Sequence, residues 1–201
     1  VTEPDVSLVP TPHGDARVHL TRADEPRGLM MLGHGAGGGI TAQDLGLAQS
    51  VALAAGLSVA LVEQPYRVAG RKAPAPPAQV DAAWRAVAEH LRTDGPLITG
   101  GRSFGARVAC RTSDDVGATG VLCLAFPLHP PGRPEKTRLP ELTGVAVPTL
   151  VVQGSRDPFG VPDPKTLPKS IRLVVVEGDH SLKKDAPAIR EAIRSWLDVV
   201  T

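Results

Sequence analysis

Residues Pro96-Leu97-Ile98-Thr99-Gly100-Gly101-Arg102-Ser103-Phe104-Gly105 carry the most information in the chain. An apolar run, Pro96–Gly101, reads as a buried strand that runs into Ser103, and Gly105–Arg111 reads as a helix directly behind it. Gly101-Arg102-Ser103-Phe104-Gly105 is therefore a G-x-S-x-G segment on a strand-to-helix turn. Such a turn strains the serine backbone, and its flanking glycines let neighbouring chain approach without a Cβ clash. It lifts Oγ clear of the sheet and aims the next backbone N–H, that of Phe104, at a developing oxyanion.

The same rhythm extends in both directions. Upstream, Val6–Val9 and Arg17–Leu20 alternate apolar with polar residues, as an antiparallel pair joined through Pro12-His13-Gly14-Asp15 would. Gly28–Leu32 and Leu57–Val62 are continuous apolar runs of the kind buried on both faces. Thr41 is placed to cap a helix carried by Leu45, Ala48, Ala52 and Ala55. Val80, Trp84, Val87 and Leu91 mark one face of another. Downstream, Val121–Phe126, Thr149–Gln153 and Ile171–Val176 are further strands, and Asp185 opens a last helix through Ile189, Ile193, Trp196 and Leu197. Strand–helix alternation without a break in composition predicts a mostly parallel sheet with helices on both faces, in a single α/β domain spanning residues 1–201.

Composition excludes several classes. The 201 residues hold 22 Lys+Arg against 21 Asp+Glu, so no cation excess is available for nucleic acid or an anionic membrane. Aromatic residues at 3% leave little material for base stacking. The two cysteines, Cys110 and Cys123, are too few for a disulfide framework or a zinc site and sit in apolar surroundings. No cluster of His, Cys and carboxylates has metal-ligand spacing, so neither metal nor cofactor is expected. With no 18-residue apolar run and no signal-peptide layout, a cytoplasmic protein is the expectation.

A serine nucleophile needs a base, and the base needs a carboxylate to fix its tautomer. On an elbow of this kind the chain order is Ser, acid, His, with both partners on loops after late strands. The run Pro148–Gly154 stops at Ser155-Arg156-Asp157, and Ile171–Val176 stops at Glu177-Gly178-Asp179-His180. Asp157 and His180 occupy these two strand ends, with Asp179 in reserve as the acid. His129 precedes Asp157 and so falls out of order. His34 reads as a brace of the glycine loop, and His13, His19 and His90 read as surface positions.

Gly33-His34-Gly35-Ala36-Gly37-Gly38-Gly39 follows the Gly28–Leu32 strand and offers a second oxyanion donor, the Ala36 N–H. Gly33, Gly35 and Gly38 also fit the G-x-G-x-x-G of a nucleotide-binding oxidoreductase, with Glu63 as the ribose-binding acid. Against that reading, the following helix starts only after the glycines, and Glu63 lies 30 residues beyond Gly33, further than usual.

With these pieces in order, the chain resembles the α/β-hydrolase superfamily over nearly its whole length. More narrowly it is similar to the small lidless bacterial branch of dienelactone-hydrolase-like proteins, through Phe126-Pro127-Leu128-His129-Pro130-Pro131-Gly132, Arg156-Asp157-Pro158-Phe159-Gly160 and Gly178-Asp179-His180-Ser181. The resemblance implies Ser103 as nucleophile, Asp157 as acid, His180 as base, and backbone donors at Ala36 and Phe104. Dienelactone hydrolases proper use a cysteine nucleophile where this chain has serine, so a dienelactone substrate is not implied.

The expectation is a serine hydrolase acting on a small or exposed carboxylic ester or thioester. About twenty residues, Pro127 to Val147, are too few for a cap domain but enough for a rim. Arg67, Arg71 and Lys72 offer cations to an anionic substrate group, although solvated charges on a flexible loop is their plainer reading. The competing reading is a hydrolase-fold binding or scaffold protein without turnover.

Overall fold

The computed structural model describes residues 3–201. The chain opens with β1 (Asp5–Val9) and β2 (Ala16–Thr21), followed by β3 (Gly28–Gly33), α1 (Gln43–Ala54) and β4 (Leu57–Glu63). A short α2 (Pro65–Val68) and the longer α3 (Pro77–His90) lead to β5 (Leu97–Arg102), α4 (Phe104–Thr112) and β6 (Gly120–Leu124). Then come α5 (Leu139–Thr143), β7 (Thr149–Gly154), β8 (Ile171–Val176) and α6 (Ala186–Val200).

The eight strands of the described residues join one sheet in the order β1-β2-β4-β3-β5-β6-β7-β8. β1 and β2 are antiparallel to their neighbours, and every pairing from β4 to β8 is parallel. The central strands are apolar because both faces are covered. Leu45, Ala48 and Ala52 of α1 and Ile189, Ile193, Trp196 and Leu197 of α6 pack over Met30, Leu32 and Val59 on one face. Val80, Trp84 and Val87 of α3 cover Met31, Ala60 and Val62 on the other, where Ala106, Ala109 and Cys110 of α4 join Val121 and Cys123. The expected mostly parallel sheet with helices on both faces is what the chain forms. The β6–β7 connection carries the five-residue α5, and among the described residues it forms no cap domain over the sheet.

Strand order creates the site. From β3 the chain crosses one face through α1 to β4, and from β4 it crosses the other face through α3 to β5. The loops leaving the carboxyl ends of the adjacent strands β3 and β5 therefore diverge and open a crevice between them. Gly33 and Gly101 are paired at that edge, and Gly105 lies against them. A Cβ on Gly105 would collide with the Gly33 carbonyl, so glycine there is what lets α4 start so close to β3.

Several local expectations are corrected. Thr41 does not cap α1: Ala42 occupies the N-cap with no side-chain bond, and Asp44 instead accepts the Leu45 N–H at 3.0 Å. The strand expected over Val121–Phe126 ends at Leu124, because Ala125 turns to φ 51°. The segment after β4 is not plain loop, since α2 buries Pro65 and Tyr66. His19 is half-buried against Glu63, not a free surface residue. Asp185 does cap α6, accepting the Ala188 N–H at 3.2 Å. Cys110 and Cys123 are both buried, with their sulfurs 3.5 Å apart.

Candidate active site

Ser103 sits at φ 51° and ψ −107°, a left-handed backbone that the strand-to-helix reversal imposes. Its own N–H is held by the Leu124 carbonyl at 2.8 Å, which fixes the turn to β6. The side chain points into a cleft of about 410 Å³ at the carboxyl end of the sheet.

β7 and β8 are neighbours in register, Gly154 beside Val176, so the loops that follow them lie side by side. A Cβ on Gly154 would strike the Asp179 carbonyl, and the Arg156 N–H binds Gly178 O at 2.8 Å. This contact delivers Asp157 and His180 to one place. His180 Nδ1 lies 2.8 Å from Asp157 Oδ2, and its Nε2 lies 2.9 Å from Ser103 Oγ. Because a carboxylate only accepts, Nδ1 carries the proton and Nε2 presents its lone pair to the serine hydroxyl.

Asp157 is held by three donors. Besides His180, Gln153 Nε2 reaches Oδ2 at 2.8 Å and the Phe159 N–H reaches Oδ1 at 2.8 Å. The Phe159 ring lies over the His180 imidazole with centroids 4.1 Å apart and the planes tilted by 30°. The reserve acid, Asp179, is exposed and turned to Ser181, whose hydroxyl and N–H donate to it at 2.6 and 2.9 Å. Those Ser181 hydrogen bonds hold its pKa below the ordinary carboxylate value.

Across the cleft, Ala36 and Phe104 both line the wall. Phe104 is the first residue of α4, so its N–H has no acceptor within the helix. The Ala36 N–H makes no hydrogen bond among the described residues. The loop that carries Ala36 is braced from beneath. Tyr66 donates its hydroxyl to the Ala36 carbonyl at 3.0 Å, and burial pushes its pKa up to about 12. His34 donates from Nδ1 to Gly35 O at 2.8 Å and accepts the Gln64 N–H on Nε2 at 3.2 Å. Burial lowers the His34 pKa, consistent with a neutral ring that donates at one nitrogen and accepts at the other.

The structure gives the other readings different settings. The Glu63 carboxylate is engaged by Arg17 and His19, at 3.1 Å each. His129 turns Nδ1 to its neighbour's carbonyl, Pro130 O, at 2.9 Å. Arg67, Arg71 and Lys72 do not line the Ser103 cleft. Its cations are Arg102, Arg107 and Arg138, the last two unsuspected from the sequence. Arg102 donates to the His180 carbonyl at 2.8 Å. Among the described residues no group of three or more His, Cys, Asp or Glu side chains is arranged to hold a metal ion, and no helix is long and apolar enough to cross a membrane.

Comparison with known proteins follows the same outline. Residues 26–196 match the family model described as an alpha/beta hydrolase domain. An alpha-beta serine hydrolase homologue from Coxiella burnetii superposes with a TM-score of 0.79 at 20% identity, covering 97% of this chain and 98% of that one. An a/b serine hydrolase without lid from Xanthomonas campestris gives 0.78 at 22% identity, over 99% and 95% of the two chains. Dienelactone hydrolase from Anabaena variabilis gives 0.73 at 16% identity, over 99% of each. At these identities the likeness is one of fold.

Proposed function

The chain belongs to the alpha/beta hydrolase domain family, and from that membership and the geometry around Ser103 we propose that it is a serine hydrolase cleaving a small or exposed carboxylic ester or thioester. The observation that carries the reading is His180, which spans Asp157 at 2.8 Å and Ser103 at 2.9 Å with opposite ring nitrogens. Residues 1–201 act in this reading as one hydrolase domain.

The chemistry follows from those contacts. Ser103 Oγ attacks the carbonyl carbon while its proton passes to His180 Nε2, and Asp157 stabilises the imidazolium through Nδ1. The Phe104 and Ala36 N–H groups receive the oxyanion; each such donor is typically worth about 2.7–4 kcal/mol in the transition state. Collapse expels the alkoxide or thiolate, which takes the proton from Nε2 and leaves an acyl-serine. A water molecule, deprotonated by the same nitrogen, then releases the acid and regenerates Ser103. The uncapped cleft suits a small substrate, or an ester whose bulk stays in solvent.

The test is labelling with a fluorophosphonate, reading the modified peptide by mass spectrometry in wild type, Ser103→Ala and His180→Ala. Labelling at Ser103 that is lost in both folded variants is the expected result. A folded wild type that takes no label overturns the reading, and a scaffold protein of hydrolase fold then replaces it.

A further inference from the structure

The wall of the cleft is cationic: among the described residues no carboxylate side chain lines it, and its charged residues are Arg102, Arg107 and Arg138. Two of these are already paired. Arg102 Nε lies 2.9 Å from Asp44, and Arg107 forks onto Glu141 at 2.8 and 2.6 Å. Behind them Arg111 forks onto Asp81 at 2.9 and 2.6 Å and also reaches Glu141 at 3.3 Å.

Arg138 is different. Among the described residues it has no carboxylate within ion-pair distance. One guanidinium N–H donates to the Pro127 carbonyl at 3.1 Å, which anchors the group and leaves most of its five donors unused. Among the described residues Arg107, Arg111 and Arg138 share only Glu141 and Asp81, which leaves one positive charge on this side of the cleft without an ion-pair partner. Partial burial, reinforced by the neighbouring Arg107 charge, pulls the Arg138 pKa below the usual guanidinium value, so an arriving anion relieves a standing cost.

We propose that Arg138 is a specificity residue and that the preferred substrates are esters or thioesters carrying a second, ionised carboxylate, which it binds while Ser103 attacks the ester carbonyl. The inference rests on the hydrolase reading. A single carboxylate matches the single unbalanced charge, and a planar guanidinium receives it in two parallel hydrogen bonds. A phosphate monoester, with nearly two charges, would exceed that balance.

The experiment compares matched ester pairs. Mono-p-nitrophenyl glutarate against p-nitrophenyl pentanoate places the charge on the acyl chain. 4-Acetoxybenzoate against 4-acetoxybenzamide places it on the leaving group. In wild type, kcat/KM for the anionic member of one pair is expected to exceed its neutral partner by tenfold or more, the scale of a charge-assisted hydrogen bond, with the ratio shrinking as salt rises. Arg138→Gln collapses the ratio towards one, and Arg138→Lys restores part of it. Arg71→Gln, an exposed cation outside the cleft, leaves the ratio as in wild type. Thermal unfolding establishes that each variant is folded, and the wild-type ratio with its salt dependence is a test that needs no variant. Equal rates within both pairs overturn the inference while leaving the hydrolase reading standing. A preference that survives Arg138→Gln removes the role from Arg138. Absence of hydrolysis of every ester, together with absence of fluorophosphonate labelling, overturns both readings.

Discussion

Arg102 Nε stands 2.9 Å from Oδ2 of Asp44, a side chain with no solvent exposure, and so ties the residue before Ser103 to the first turn of α1. The contact lacks hydrogen-bond alignment, leaving Oδ2 held by charge alone. Burial accordingly raises the Asp44 pKa despite the guanidinium beside it. A carboxyl whose pKa is higher in the fold than in the unfolded chain helps the fold below the unfolded value and loses that contribution as pH rises through the folded one. Arg102→Met removes the partner and raises the folded pKa further. The expected cost is about 3–5 kcal/mol near pH 7, shrinking as pH falls towards the ordinary Asp value. Urea unfolding at several pH values checks this, and Asp44→Leu in the same background should recover most of the loss.

Ser103 is expected to be a net burden on stability. Its φ of 51° costs a residue with a Cβ about 1–3 kcal/mol, so Ser103→Gly should unfold at higher denaturant than Ser103→Ala, with about 1 kcal/mol between them. Both variants should be inactive, with kcat down by about 10⁴-fold or more. Equal stability of the two would mean that the turn is not strained.

Two glycines to alanine should act in opposite directions. A Cβ on Gly105 meets the Gly33 carbonyl, so Gly105→Ala pushes α4 away from β3 and should cost about 1–3 kcal/mol or more. Gly46 lies exposed within α1 with no atom within 4 Å of the added Cβ, and Gly46→Ala should stabilise by about 0.4–1 kcal/mol. Differential scanning calorimetry of the pair decides both.

His34 makes the glycine loop acid-sensitive. Its pKa is lowered from 6.5 by burial, so its contribution is complete above that value and is lost as pH falls through the lowered folded value. Protonation would put an N–H on Nε2 facing the Gln64 N–H. His34→Gln should be less stable than wild type at pH 7.5 by about 1–3 kcal/mol, and the gap should narrow towards pH 5. Parallel stability curves for the two proteins would contradict this.

That Asp157 and His180 meet at Ser103 is legible in the sequence because each stands where an apolar run stops, in the chain order that such a turn requires, and parallel strands place their exits together. The glycines around Ser103 were readable for the same reason. Arg107 and Arg138 were not, because their positions depend on which side of α4 faces the crevice and on how residues 127–138 fold back over it. The cations Arg67, Arg71 and Lys72 look well placed only if the segment that follows β4 is open loop. In the fold, α2 turns Tyr66 inward under Ala36 and leaves Arg71 and Lys72 in solvent. Thr41 satisfied a local capping rule, yet the chain stays extended at Ala42 and Asp44 is drawn to Arg102. In these cases a tertiary contact overrode the neighbourhood from which the residue was read.

The 77 residues that separate Ser103 from His180 have a consequence during synthesis. The turn at Ser103, α4 and β6 leave the ribosome well before β7 and β8, and both Asp157 and His180 arrive with those last two strands, β8 lying at the sheet edge beside β7. In the proposed hydrolase reading, a nascent chain therefore holds a shaped serine turn before its base can reach it, and Ser103 gains that base only when the last strand docks.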